Sequence, residues 1–207
     1  RECTPELLLK HSCEVKVTTT AVSSRTSANP CMLQSMGMGT KRGGGDPGPE
    51  KSSSAAEQPS ARIIYKDTLL KFGSSILQAG GATEDQARMV MDELIAADLA
   101  GHSSHGTMRL IQYISLMKDS LINPGVSLEI VQESPVVGVF DGQFGFGQCI
   151  MRELLSIASR KARQQGTYTA FCRNCAHIGR LGSYTRDAAR DGFLAMMVAN
   201  VCGARRV

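Results

Sequence analysis

The sequence predicts a mixed α/β fold in which a helical leader is followed by an alternating β/α sheet. Three observations carry this. Apolar residues recur at helical spacing from Leu69 to Met117, short β-branched runs begin after the turn "NPG" at 123–125, and those runs then alternate with amphipathic stretches. The 207 residues divide on this reading into a low-complexity segment (1–60), the helical leader (61–122) and an α/β part (123–207).

Residues 1–60 are rich in Ser, Thr, Gly and Pro, as in "VTTTAVSSRTSANP", and hold too few large apolar groups to offset their ordering cost, so the whole segment is expected to be disordered. In the leader, "KDTLLKFGSSILQAGG" sets Leu69, Phe72, Ile76 and Leu77 on one stripe and stops at Gly80 and Gly81. Thr83 and Gln86 have capping-box spacing for a second helix, whose face is Ala87, Val90, Met91, Leu94 and Ile95 and whose end is Gly101. A third helix, about 107–118, is capped on this reading by Ser103 or Ser104. "VSLEIV" and "PVVGVFDG" then read as strands, "FGFG" as a loop and 150–165 as a helix ending at Gly166. "TYTAFCR" is the next strand, "NCAHIGRLG" a loop, Tyr184 to Arg190 a short helix, and "FLAMMVANV" a last strand. With only "CGARRV" after that strand, the chain reads as the front part of a larger, truncated domain, with Met196, Met197 and Val198 exposed.

Composition narrows the function classes. A net charge of +4 from scattered basic residues, no tryptophan and four tyrosines leave no footprint for nucleic acid. No apolar run reaches the roughly 20 residues that a membrane-spanning helix needs, so no membrane association is expected. Seven cysteines at irregular spacing and no secretory signal suit a reducing compartment, taken as the cytoplasm. The pair Cys172 and Cys175 with nearby His177 could suggest a thiol or metal-binding module, but a structural zinc site needs four ligands, and no metal is expected. The glycines of "DGQFGFGQCI" lack the third position of a dinucleotide fingerprint, where Ile150 stands.

Two segments carry chemistry. In "GHSSHGTMRLIQY", a helical register would put His105, Arg109 and Tyr113 on one face beside Ser104. A guanidinium can clamp a carboxylate through two parallel bonds and an imidazole can exchange a proton near neutral pH, although the same spacing also suits a capped helix with a solvated outer face. In "RNCAHIGRLGSY", His177 follows a strand, at the end where open α/β sheets place ligands, and fits either a general acid/base or a histidine in a surface loop.

Taken together, "DLAGHSSHGTMRLIQY", "DGQFGFGQ" and "NCAHIGRLGSY" resemble the type-2 malate/L-lactate dehydrogenase family, nicotinamide-dependent 2-hydroxyacid oxidoreductases without a Rossmann fold. The resemblance runs from about Tyr65 to about Asn200. It implies His177 as the acid/base that takes a proton from the substrate hydroxyl as hydride leaves for NAD or NADP, and Arg109 as the carboxylate clamp. Ser104, His105, Tyr113 and Asn200 would line the substrate pocket, Leu181 and Ser183 would approach the cofactor, and the complete protein would be a homodimer. After Asn200 the family continues with a small hydroxyl residue, whereas this chain has Val201 and Cys202. A non-catalytic form that only pairs with complete subunits is the alternative that this departure leaves open.

Overall fold

The computed structural model describes residues 13–21 and 63–201. The chain order is β1 (Cys13–Ala21), α1 (Lys66–Ala79), α2 (Glu84–Leu99), a 3₁₀ turn (Ser103–His105), α3 (Arg109–Lys118), β2 (Glu129–Glu133), β3 (Val137–Asp141), α4 (Gly147–Gln165), β4 (Thr167–Cys175), α5 (Leu181–Arg190) and β5 (Phe193–Val201). The fold is mixed α/β, as expected.

The leader folds for the reasons its sequence gives, with two corrections. Thr83 and Gln86 form the reciprocal capping box at the start of α2, and all five residues of the expected apolar face are buried. Gly81 takes a positive φ of 104°, which lets Ala82 N–H reach back to Leu77 O and close α1. In α1, however, Phe72 is exposed and the inner face is Gly73, Ser74 and Leu77. The glycine wins because the Met91 side chain of α2 occupies the space a Cβ would need. The expected serine cap of α3 is also absent: Ser104 Oγ pairs with His105 Nδ1 at 3.0 Å, and the turn is instead held by Asp98, whose Oδ2 accepts from Thr107 N–H at 2.9 Å and Thr107 Oγ at 2.6 Å.

The sheet has the order β2-β3-β4-β1-β5, with β3 and β4 parallel and β1 antiparallel to both its neighbours. The strand β1 corrects the expectation of disorder across 1–60. Its Val15, Val17 and Thr19 point inward while Glu14, Lys16 and Thr20 face out, a period-2 pattern diluted by the surrounding Ser/Thr/Gly composition, and β4 and β5 supply ladder partners on both edges. The rest of 1–60 lies outside the described residues.

One sheet face packs against α4 and α5 through Phe140, Ile150, Leu154, Tyr168 and Tyr184. On the other face Leu194, Met196, Val198 and Phe171 are exposed, with none of the described helices packed over them. Met196 and Val198 lie there as expected, whereas Met197 turns to the packed face because successive strand residues alternate. The helical leader forms its own cluster, which Phe146 and Ala176 join from the loops after β3 and β4.

Candidate active site

Parallel pairing of β3 with β4 sets their C-terminal ends side by side, so the loops that follow must pack on each other. Gly142 N–H donates to Arg173 O at 2.9 Å and Phe144 N–H to Asn174 O at 2.6 Å. Asp141 ties the same two loops from below, accepting from Arg173 Nε at 3.0 Å and Asn174 Nδ2 at 2.8 Å. Gln143, Phe144 and Asn174 all have positive φ here, a concentration of costly backbone that packing must hold in place. The glycines of "FGFG" serve this approach: a Cβ on Gly147 would lie 2.5 Å from His177 O.

His177 therefore sits on a fixed loop, facing the start of α3. Its Nδ1 is 2.8 Å from the Tyr113 hydroxyl and 3.3 Å from Gly179 N, and its ring centroid is 5.3 Å from that of His105. Although His105 lies in the 3₁₀ turn rather than on α3, the turn still brings it into the same cluster as Tyr113. Arg109 is oriented through Nε on Ser104 O at 2.6 Å and Nη1 on Gln112 Oε1 at 2.7 Å. Burial, then the Arg109 charge, then His105 push the His177 imidazole down to about 4, and burial followed by Arg109 lowers His105. The His177 ring is held neutral, and the same causes bias His105 toward its neutral form.

The structure thus brings His105, Tyr113 and His177 together, with Arg109 and Ser104 beside them. Three other expected residues stand apart. Ser183 is buried with its hydroxyl donating to Glu93 Oε2 at 2.8 Å, and Leu181 packs on the sheet cluster. Asn200 is exposed on the sheet face of Met196 and Val198 and lines a groove with Lys16, Phe171 and Arg173. Cys172 and Cys175 are buried in β4, and among the described residues no group of three or more metal-ligating side chains converges.

Sequence reasoning missed Asp98, Gln148 and Arg180. Gln148 is fully buried in the first turn of α4 and donates from Nε2 to the Tyr113 hydroxyl at 2.7 Å. Its signal was available, since it is a polar residue in line with Met151 and Leu155 on an apolar stripe. Arg180, at the N-terminus of α5, has Nε and Nη2 buried without a hydrogen-bond partner among the described residues.

Fold and cluster define an α/β protein in which the loop after β4 brings the neutral His177 imidazole against a second imidazole, a phenol and a guanidinium from the helical leader. The chain belongs to the malate/L-lactate dehydrogenase family, whose sequence pattern matches residues 64–206. It is 36% identical over 137 residues to a malate dehydrogenase of Pyrococcus abyssi, covering 66% of this chain and 38% of that protein. An L-sulfolactate dehydrogenase of Methanocaldococcus jannaschii is 34% identical over 138 residues, covering 67% of this chain and 40% of the relative. The solved malate dehydrogenase of Entamoeba histolytica superposes with a TM-score of 0.60 at 36% identity, over 63% of this chain and 37% of that one. The chain therefore spans about two fifths of the length of these relatives, and β1 lies outside the family match.

Proposed function

We propose that this chain carries the carboxylate-binding and proton-exchanging part of a nicotinamide-dependent 2-hydroxyacid dehydrogenase site. The convergence of His105, Tyr113 and the Arg109 charge on His177 carries the reading. Arg109 binds the substrate carboxylate, for which a guanidinium is suited by its parallel donors, and His177 exchanges the proton at the adjacent hydroxyl or carbonyl oxygen. Malate, sulfolactate and L-lactate dehydrogenases among the relatives support a small 2-hydroxy acid as the substrate class.

The residues present fit a dinucleotide at one point. The buried, unpartnered Nε and Nη2 of Arg180 at the start of α5 suit an anionic group such as a pyrophosphate, whereas the Ser183 hydroxyl is committed to Glu93. Arg180 and the backbone at Leu181 would hold NAD or NADP, which supplies the hydride acceptor and donor when bound. Gly147 of the glycine loop is not that cradle, because the backbone carbonyls of Ala176 and His177 fill the space beside it.

Fluorescence titration of the full chain with NADH and NADPH, alongside circular dichroism, tests the proposal. Saturable binding that tightens with a 2-keto acid supports it, and a folded chain that binds neither nucleotide nor acid overturns it. The exposed face bearing Leu194, Met196 and Val198 favours a second reading, a non-catalytic subunit that pairs with complete ones.

A further inference from the structure

We propose that Gln148 is a positioning residue that sets which nitrogen of His177 carries the proton. Its amide donates to the Tyr113 hydroxyl, Tyr113 donates to Nδ1 of His177, and the neutral ring keeps its proton on Nε2. The inference deepens the reading of His177 as the proton-exchanging group and rests on it.

Geometry supports each link. Gln148 Nε2 lies 2.7 Å from the Tyr113 oxygen, and that oxygen lies 2.8 Å from His177 Nδ1. A phenol has one proton to give, so filling one of its acceptor positions with an amide N–H directs that proton toward the ring. Gly179 N–H also reaches the same Nδ1, but at 3.3 Å against 2.8 Å for the phenol it is the weaker of the two contacts, so the phenol decides. Nδ1 thus meets two donors. Among the described residues the ring's hydrogen-bond partners are Tyr113 and Gly179, and the charged or titratable groups facing it are Arg109, His105 and Tyr113. No carboxylate is among them to draw a proton onto Nδ1.

Gln148 can act this way because α4 begins where the two strand-end loops meet. Gly147 packs its Cα against the His177 carbonyl, which fixes the next residue within reach of α3. Were the amide reversed, Oε1 would take the phenol proton and Nδ1 would have to carry its own. The direction of one buried amide therefore decides whether Nε2 offers a donor, the state needed to meet a carbonyl oxygen, or a lone pair.

The test reads the tautomer directly. The full chain has four histidines, so ¹⁵N-histidine labelling with long-range ¹H–¹⁵N correlation at pH 7 resolves each ring, and loss of one signal set in His177→Gln assigns it. The expected pattern for His177 is Nε2–H. Gln148→Glu, whose carboxylate accepts the phenol proton, should convert it to Nδ1–H. Should the buried charge unfold that variant, Gln148→Leu removes the amide donor, frees the phenol oxygen to accept from Nδ1 and should raise the Nδ1–H fraction. An Nδ1–H pattern in the unmodified chain, or an unchanged Nε2–H pattern in a folded Gln148→Glu or Gln148→Leu, overturns the proposal. No substrate or nucleotide is needed, so this outcome is separable from failure of the dehydrogenase reading in the titration.

Discussion

The hydroxyl of Tyr113 lies 2.8 Å from Nδ1 of His177, joining the helical leader to the loop after β4 across 64 residues of sequence. That bond places the His177 imidazole where the leader cluster and the sheet cluster meet, and it explains why His177 is buried enough to stay neutral.

Neutral His177 makes stability fall with acid. Its folded value of about 4 lies below the ordinary 6.5, so between those values the unfolded chain binds a proton that the folded chain refuses. The contribution is complete above pH 6.5 and is lost as pH falls toward 4, on the order of 3 kcal/mol in all. Urea unfolding at pH 7 and pH 5 should show a larger loss for the unmodified chain than for His177→Gln. Equal losses would mean that His177 is not the group responsible.

Arg109 acts on the same ring through charge. Removing it in Arg109→Met should raise both the His177 and His105 values, because its positive charge disfavours protonation of each, and NMR titration of the two imidazoles measures this directly. Arg109→Lys keeps the charge but not the parallel donors. It should leave the imidazole titrations nearly unchanged while weakening binding of a 2-keto acid by roughly tenfold, the worth of about one charge-assisted bond.

Most of the α/β order was legible because it depends on local periodicity: the capping box of α2, the apolar stripe of α4 and the bounds of β5 follow from spacing within each element. The segments that carry His105, Arg109, Tyr113 and His177 were legible too, by their polar residues beside turns. What escaped depends on tertiary partners. The strand β1 is made by β4 and β5 on either side of it, Phe72 faces outward because Met91 claims the space at Gly73, and Gln148 matters only once Tyr113 lies against it. Ser183 followed the helix register inward to Glu93, which no local pattern foretells.

Asp98 should prove as necessary to the cluster as the residues in it. Its carboxylate accepts twice from Thr107, and a Cβ on Gly106 would lie 1.7 Å from its Oδ1, so turn and carboxylate fit against each other without slack. Asp98→Ala leaves the Thr107 donors without that partner and should cost about 1–3 kcal/mol in chemical denaturation. Loss of the close His105 and His177 ring approach should accompany it, seen as perturbed imidazole resonances. A variant with unchanged stability and spectra would remove Asp98 from this role.

Gly147→Ala tests the contact on which the whole arrangement turns. The added methyl would meet Ala176 O at 2.4 Å and His177 O at 2.5 Å, both backbone atoms that cannot swing aside as a side chain would. Relief requires the loop after β4 to move away from α4, which pulls His177 from Tyr113 and Tyr113 from Gln148 together. The expected loss is about 1–3 kcal/mol, in the range for overpacking a close-packed site. The thermal midpoint checks the cost, and the His177 titration checks the displacement: a ring freed from burial should move up from about 4 toward its ordinary 6.5. A stable Gly147→Ala with His177 still neutral at pH 5 would show that the two loops tolerate separation and that the glycine serves only the backbone.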